Sequence, residues 1–161
     1  MNKAIFTVAG NKLHVERMFN APRSKVWEAW TTSELLEKWW GPKPYNAITK
    51  EFEFKEGGHW LYNMSGPNGE VQYCWMGFKK IDAENSFCAN DAFCDEQGNF
   101  TPDMPVMEWE VHFEDLGETT LMKETTTFAS EEDLKKIMSM GMEAGFSQGL
   151  DQLEELLEKG V

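Results

Sequence analysis

The chain has 161 residues, 41% of them hydrophobic and 13% aromatic, so it can bury one substantial core but is too short for two full domains. Its formal net charge of −13 repels phosphate backbones and anionic lipid headgroups, which argues against nucleic acid and membrane surfaces as partners. We therefore expect a single domain over residues 1–161 with one main site.

The cysteines and the N-terminal segment bear on redox chemistry and location. Cys74, Cys88 and Cys94 are odd in number and form no CxxC pair, which argues against a disulfide framework and a zinc site. We expect no metal and no other cofactor. Because the sequence shows neither a signal peptide nor an 18-residue apolar stretch, we expect a soluble cytoplasmic protein.

The first predicted elements are a strand and two short helices. Alternating apolar residues predict a strand over 13–19. Pro22 stands at the first position of a helix that runs to Trp30. A second short helix follows over 34–40 and ends at Gly41-Pro42.

Strand and turn patterns fill the middle of the chain. The sequence predicts strands over 47–54, 60–64, 71–81, 87–93, 107–113 and 119–128. The segment 107–113 alternates most regularly, which indicates one buried face and one wet face. In 71–81 both faces are apolar, so either could line a pocket, and a homodimer could cover the other.

A long C-terminal helix completes the order. Ser130 is a suitable N-cap, acidic residues follow it in the first turn, and an apolar stripe continues to Leu157. One strand, two short helices, about six further strands and one long helix together indicate an α+β domain.

Three segments carry a resemblance to a known family. They are Phe19-Asn20-Ala21-Pro22 with Val26-Trp27-Glu28-Ala29-Trp30, then Leu36-Glu37-Lys38-Trp39-Trp40-Gly41-Pro42, and Gly57-Gly58-His59-Trp60. In these segments the chain resembles the START-like superfamily and, within it, the domain of the activator of the heat-shock ATPase. The resemblance extends over roughly 13–158. Gly145-Phe146 is similar to the family's glycine-tryptophan helix, with phenylalanine in place of tryptophan.

The resemblance implies a helix-grip fold, in which a curved antiparallel sheet of about six to seven strands surrounds the long C-terminal helix. It also implies a cavity between the concave sheet and that helix. Relatives with this fold include lipid carriers, hormone receptors and cyclases, so the family alone does not fix a function.

The predicted helix has Gly141, Gly145 and Gly149 at four-residue spacing, which places them on one face. Each interior glycine costs a helix about 1 kcal/mol relative to alanine. The missing side chains could leave room for a ligand, or they could allow close packing of the backbone.

Methionines and aromatic residues near this face could form an adaptable apolar pocket. The predicted lining is Trp60, Tyr62, Trp75, Met107, Trp109, Met138, Gly141, Met142, Gly145, Phe146 and Gly149. We expect Trp27, Trp30, Trp39 and Trp40 to pack the two short helices over the mouth of the cavity instead.

No arrangement typical of a catalytic site surrounds His14, His59 or His112, so we assign no catalytic residue. The favoured hypothesis is a protein that binds a small apolar molecule. The first alternative is a chaperone-associated or dimeric interaction protein. The second is a cyclase-like or hydrolase-like enzyme, which would require an ionisable group inside the cavity with a perturbed pKa.

Overall fold

The structure is a computed structural model and describes residues 2–160. Its strands are β1 (Ile5–Ala9), β2 (Lys12–Phe19), β3 (Asn46–Phe52), β4 (His59–Ser65), β5 (Val71–Asp82), β6 (Ser86–Cys94), β7 (Met107–Asp115) and β8 (Thr120–Thr127). Its helices are α1 (Arg23–Thr31), α2 (Ser33–Trp39), α3 (Glu131–Ser139) and α4 (Met142–Glu158). Within this part of the chain, no helix is long and apolar enough to cross a bilayer.

The strands form one antiparallel sheet in the order β1-β2-β8-β7-β6-β5-β4-β3. The register shifts in β3 between Thr49 and Glu51 and in β5 between Phe78 and Lys80. Such irregularities bend a sheet, and the C-terminal helix lies on the side toward which this sheet curves. The predicted α+β helix-grip fold is confirmed.

The sheet has eight strands where six to seven were expected, because the sequence analysis missed β1. Residues 5–9 pair with β2 through a tight turn at Gly10-Asn11, and Gly10 has φ of +62°. A glycine and an asparagine between two β-prone runs are typical of a hairpin, so the signal was present in the sequence.

The concave face of the sheet carries the core. On β7 the inward residues are Met107, Trp109, Val111 and Phe113, all buried, while Glu108, Glu110, His112 and Glu114 are exposed, as predicted. On β5 the buried residues are Cys74, Met76 and Phe78. This face of β5 therefore looks inward, which settles the choice that the sequence left open.

The predicted long C-terminal helix is two helices. The chain breaks after α3 at Met140 and Gly141, and Gly141 has φ of +90°, a left-handed conformation that glycine adopts without strain. The expectation of three glycines inside one helix was therefore wrong for Gly141. It lies in the turn, and it incurs no helix-propensity cost.

The other two glycines lie in α4 and differ from each other. A Cβ at Gly149 would lie 3.3 Å from the main-chain oxygen of Trp39, so this glycine allows close backbone packing. A Cβ at Gly145 would meet only the Pro42 side chain, at an ordinary 3.7 Å. Gly149 thus fits the close-packing interpretation, whereas Gly145 leaves open space beside the sheet, and its use by a ligand stays a prediction.

We predict that the three glycines respond differently to alanine. Gly145→Ala should raise the free energy of unfolding by up to about 1 kcal/mol through better helix propensity. Gly149→Ala should lower it by about 1 kcal/mol or more, since the overpacked neighbour is a fixed backbone carbonyl. Gly141→Ala should lower it by about 1 kcal/mol because of its positive φ. Urea denaturation measures all three, and a destabilised Gly145→Ala with an unaffected Gly149→Ala would contradict the assignment.

Candidate functional site

A cavity of about 310 Å³ lies between the concave face of β4 to β7 and the start of α4. Its wall is mostly apolar and aromatic. The lining residues are Trp39, Trp40, Pro42, Tyr62, Met64, Gln72, Cys74, Asp91, Phe93, Met107, Trp109, Ile137, Met140, Gly141, Met142, Gly145, Phe146 and Gly149.

Most of the residues predicted to line a cavity do lie on its wall. They are Tyr62, Met107, Trp109, Gly141, Met142, Gly145, Phe146 and Gly149. Neighbouring strands bring the sheet residues together, and the α3–α4 turn and first turns of α4 supply the rest. That these residues contact a ligand stays a prediction.

Three predicted lining residues lie elsewhere. Trp75 points to the convex side of the sheet and stacks on His59 with ring centroids 4.0 Å apart, because it alternates with the inward residues of β5. Trp60 points inward but is covered by Tyr62, on which it stacks at 3.9 Å. Met138 packs against the core before the helix break and does not reach the cavity.

Trp39 and Trp40 were expected only to pack the short helices, yet both line the cavity. The buried Trp39 donates its indole N–H to the main-chain oxygen of Ala29 at 2.9 Å, which ties α2 to α1. The Trp40 indole N–H donates to the Tyr62 hydroxyl at 2.9 Å, across the end of the cavity. These two tryptophans thus join the helix pair to the sheet and form part of the wall.

Asp91 lines the cavity and is the candidate site residue that the sequence analysis missed. It follows Phe87 and Ala89 on the inward face of β6, between Met76 and Met107 on the neighbouring strands. Burial raises the pKa of its carboxyl to about 7, and the nearby Trp109 indole opposes this rise in part. The two-residue alternation of β6 was the available signal, since it places Asp91 on the same face as its apolar neighbours.

The other polar groups near Asp91 are neutral. Burial raises the pKa of the Tyr62 phenol and of the Cys74 thiol well above their usual values, so both keep their protons at neutral pH. These two residues are directly paired on β4 and β5. The wall therefore offers hydroxyl and thiol groups beside a single carboxyl.

A second buried carboxyl lies outside the cavity lining, on β8. Glu124 is almost fully buried, and the Thr126 hydroxyl lies 2.6 and 2.9 Å from its two carboxyl oxygens. Burial raises its pKa to about 8, the Thr126 hydrogen bond lowers it in part, and the Asp91 charge raises it further. The concave face thus holds two acids that ionise near neutral pH.

The histidines lie outside the cavity. His59 contacts Glu51 at 2.7 Å, His112 contacts Glu110 at 2.9 Å, and His14 contacts the Thr125 hydroxyl at 3.0 Å. Across residues 2–160, no cluster of three or more histidine, cysteine or acidic side chains has a geometry that could hold a metal ion. Proton chemistry inside the cavity would therefore depend on Asp91.

Gln152 of α4 forms hydrogen bonds with the backbone at and after the end of α2, at the mouth of the cavity. Its amide nitrogen donates to the main-chain oxygens of Trp39 at 2.9 Å and Gly41 at 2.8 Å. Its amide oxygen accepts from the Lys43 main-chain N–H at 3.0 Å. One side chain therefore satisfies three backbone groups at the end of α2 and just after it, and fixes the distance between α2 and α4.

We predict that Gln152→Ala lowers the free energy of unfolding by about 1–3 kcal/mol, because it leaves partly buried carbonyl groups without donors. It should also speed amide hydrogen exchange over 40–45. Glu155→Ala is the control, since Glu155 is exposed on the same helix and its side chain makes no hydrogen bond within the described residues. Equal losses in both variants would show that Gln152 does not fasten the mouth.

We predict that Glu124→Gln flattens the pH dependence of stability. The pKa of the carboxyl is near its ordinary value of 4.5 in the unfolded chain and about 8 in the folded protein. Between these values the folded state binds the extra proton, so the free energy of unfolding of the wild type falls as pH rises. At the upper end of this pH range, the free energy of unfolding of the variant should exceed that of the wild type by roughly 1–3 kcal/mol. At the lower end the two should differ little.

Thermal unfolding followed from acidic to mildly basic pH gives this difference. Glu16→Gln, on an exposed position of β2, removes the same charge and is the control. The assignment is wrong if Glu124→Gln and Glu16→Gln change the pH profile equally.

Comparison with known families and structures gives a consistent result. The sequence model of the family described as Activator of Hsp90 ATPase homolog 1-like protein matches residues 20–158. The predicted resemblance is thereby confirmed. A comparison with curated proteins gave no match.

Several solved structures share the fold. A protein from Arthrobacter aurescens, solved in solution, is 31% identical with a TM-score of 0.90, covering 96% of this chain and 91% of its own. Protein Ms6760 from Mycobacterium smegmatis is 29% identical with a TM-score of 0.87, covering 96% and 94%. A Staphylococcus epidermidis protein is 29% identical with a TM-score of 0.85, covering 97% and 94%.

Proposed function

The chain belongs to the Activator of Hsp90 ATPase homolog 1-like family, and we propose that it binds a small, mostly apolar molecule in the cavity between sheet and α4. The cavity itself carries this proposal. Ligand pockets are typically concave, mainly apolar and furnished with a few polar groups, and about 310 Å³ lies at the lower end of their range. The ligand is therefore small, on the scale of one or two rings.

The mouth of the cavity supports entry of such a molecule. Met140 is 55% exposed at the α3–α4 turn, and Pro42 faces Gly145 on the other side. Methionine side chains adapt to different apolar shapes, and Gly141 beside them adds no side chain. A ligand could pass between the turn and the segment after α2 while the sheet stays unchanged.

The interaction-protein alternative has less support. Exposed large apolar side chains lie on several elements, including Ile5 and Val8 on the edge strand β1 and Ile48 on β3 at the opposite edge. Such scattered residues are ordinary on a protein surface. A concave apolar cavity between the sheet and α4 favours a small ligand over a partner protein.

Asp91 favours a second candidate function, acid–base catalysis on a molecule held in the cavity. A carboxyl whose pKa is near 7 can exchange a proton at neutral pH, as a general acid or base must. In that case Asp91→Asn would abolish turnover and leave ligand binding in place. A binding protein without catalysis would instead show a changed affinity alone.

We expect the uncharged two-ring naphthylamine probe 6-propionyl-2-(dimethylamino)naphthalene to bind the wild-type protein with increased emission. Gly145→Leu should weaken binding by about tenfold or more, because its side chain extends from the cavity wall beside Pro42 and fills the space near the mouth. A fluorescence titration measures both affinities.

Ala144→Leu is the matched control, since Ala144 is exposed on the neighbouring position of α4. Circular dichroism verifies that both variants are folded. The proposal fails if the wild type gives no saturable signal, or if Ala144→Leu weakens binding as much as Gly145→Leu does. If the probe binds as expected, native mass spectrometry of protein from its own host would identify the natural ligand by its mass.

A further inference from the structure

We propose that the cavity selects apolar molecules that carry a protonated amine, and that Asp91 is the residue that selects them. This inference rests on the proposed function and adds a ligand class to it. Its basis is the position of one carboxyl among aromatic walls, together with the absence of basic side chains from the lining in the described part of the chain.

The charges of the lining favour a cation. Asp91 is the only acidic residue on the wall within residues 2–160, and no lysine or arginine lies beside it there. A ligand carboxylate would meet a like charge in a poorly solvated space, which is strongly unfavourable. An ammonium group would instead form an ion pair with the Asp91 carboxylate. That attraction would offset part of the free-energy cost of removing the ammonium group from water.

Asp91 also has unused hydrogen-bonding capacity. A carboxylate has about four acceptor positions. None of the ion pairs between described residues includes Asp91. The nearby Trp109 indole lowers the pKa of Asp91, but its N–H group is buried without a hydrogen-bond partner among these residues. A ligand N–H group that donates to Asp91 would satisfy an acceptor that the protein leaves open.

The aromatic walls give independent support. Trp40, Tyr62, Phe93, Trp109 and Phe146 all line the cavity. The rings of Trp109 and Phe146 lie 5.4 Å apart and those of Trp40 and Trp109 5.8 Å apart, so they form a continuous surface near the carboxyl. Aromatic faces attract cations, and groups of such rings are a known way to bind ammonium ligands.

A matched ligand series tests the inference. It consists of 3-phenylpropylamine, 3-phenylpropan-1-ol, propylbenzene and 3-phenylpropanoate, which share one apolar body and differ in the terminal group. Titrations followed by amide and indole N–H chemical shifts give each affinity. We expect the amine to bind at least about tenfold tighter than propylbenzene, with the alcohol between them and the carboxylate weakest.

The variant Asp91→Asn keeps the shape of the side chain and removes its charge. We expect it to reduce the affinity for the amine about tenfold and to leave that for propylbenzene within about twofold. Asp82→Asn, on an exposed position of β5, changes the net charge equally and should alter neither affinity.

The outcomes separate this inference from the proposed function. If propylbenzene and the naphthylamine probe bind but the amine has no advantage, the amine selectivity is wrong and the binding function stands. The same conclusion follows if Asp91→Asn preserves the advantage, or if Asp82→Asn removes it. If neither the probe nor any member of the series binds, both proposals fail.

Discussion

The cavity exists because α4 is held at a fixed distance from the sheet. A helix with an apolar face would otherwise approach the sheet and bury its surface fully, since burial stabilises by about 25 cal/mol per Å². The side chains of Trp39 and Trp40 fill the space at one end, and Gln152 fixes the backbone after α2 to α4 through three hydrogen bonds. Close contact at Gly149 and support by aromatic rings together set this distance.

The helix break at Gly141 lies at the other end of the cavity, where it opens the cavity to solvent. A continuous helix over 130–157 would have carried its apolar stripe straight across the sheet. The left-handed turn instead lets α3 cover the core through Leu134 and Ile137, while α4 starts anew at Met142. Because a two-residue turn replaces a rigid helix there, the cavity opens to solvent beside Met140.

Local sequence patterns predicted most of the fold, because strand alternation and helix capping depend only on residues close together in the chain. Alternation in β7 and the cap at Ser130 gave the right elements, and the aromatic motifs gave the family. The residues of the site were harder to predict. Alternation along a strand shows which face of the sheet a side chain occupies, but it does not show which other side chains cover it. Trp60 has the expected direction and is hidden by Tyr62. The helix break was missed because a left-handed glycine and a helical glycine look the same in sequence.

Asp91 shows why the site follows only in part from the sequence. A carboxyl among apolar residues on a strand conflicts with the pattern that builds the core, and burial makes its charged form unfavourable. Such conflicts with folding rules concentrate at functional sites, where they are offset by stability elsewhere. Here the tryptophans, the Gln152 hydrogen bonds and the apolar core supply that stability. The structure can therefore hold an acid in an apolar wall, where a bound cation would relieve the unfavourable charge.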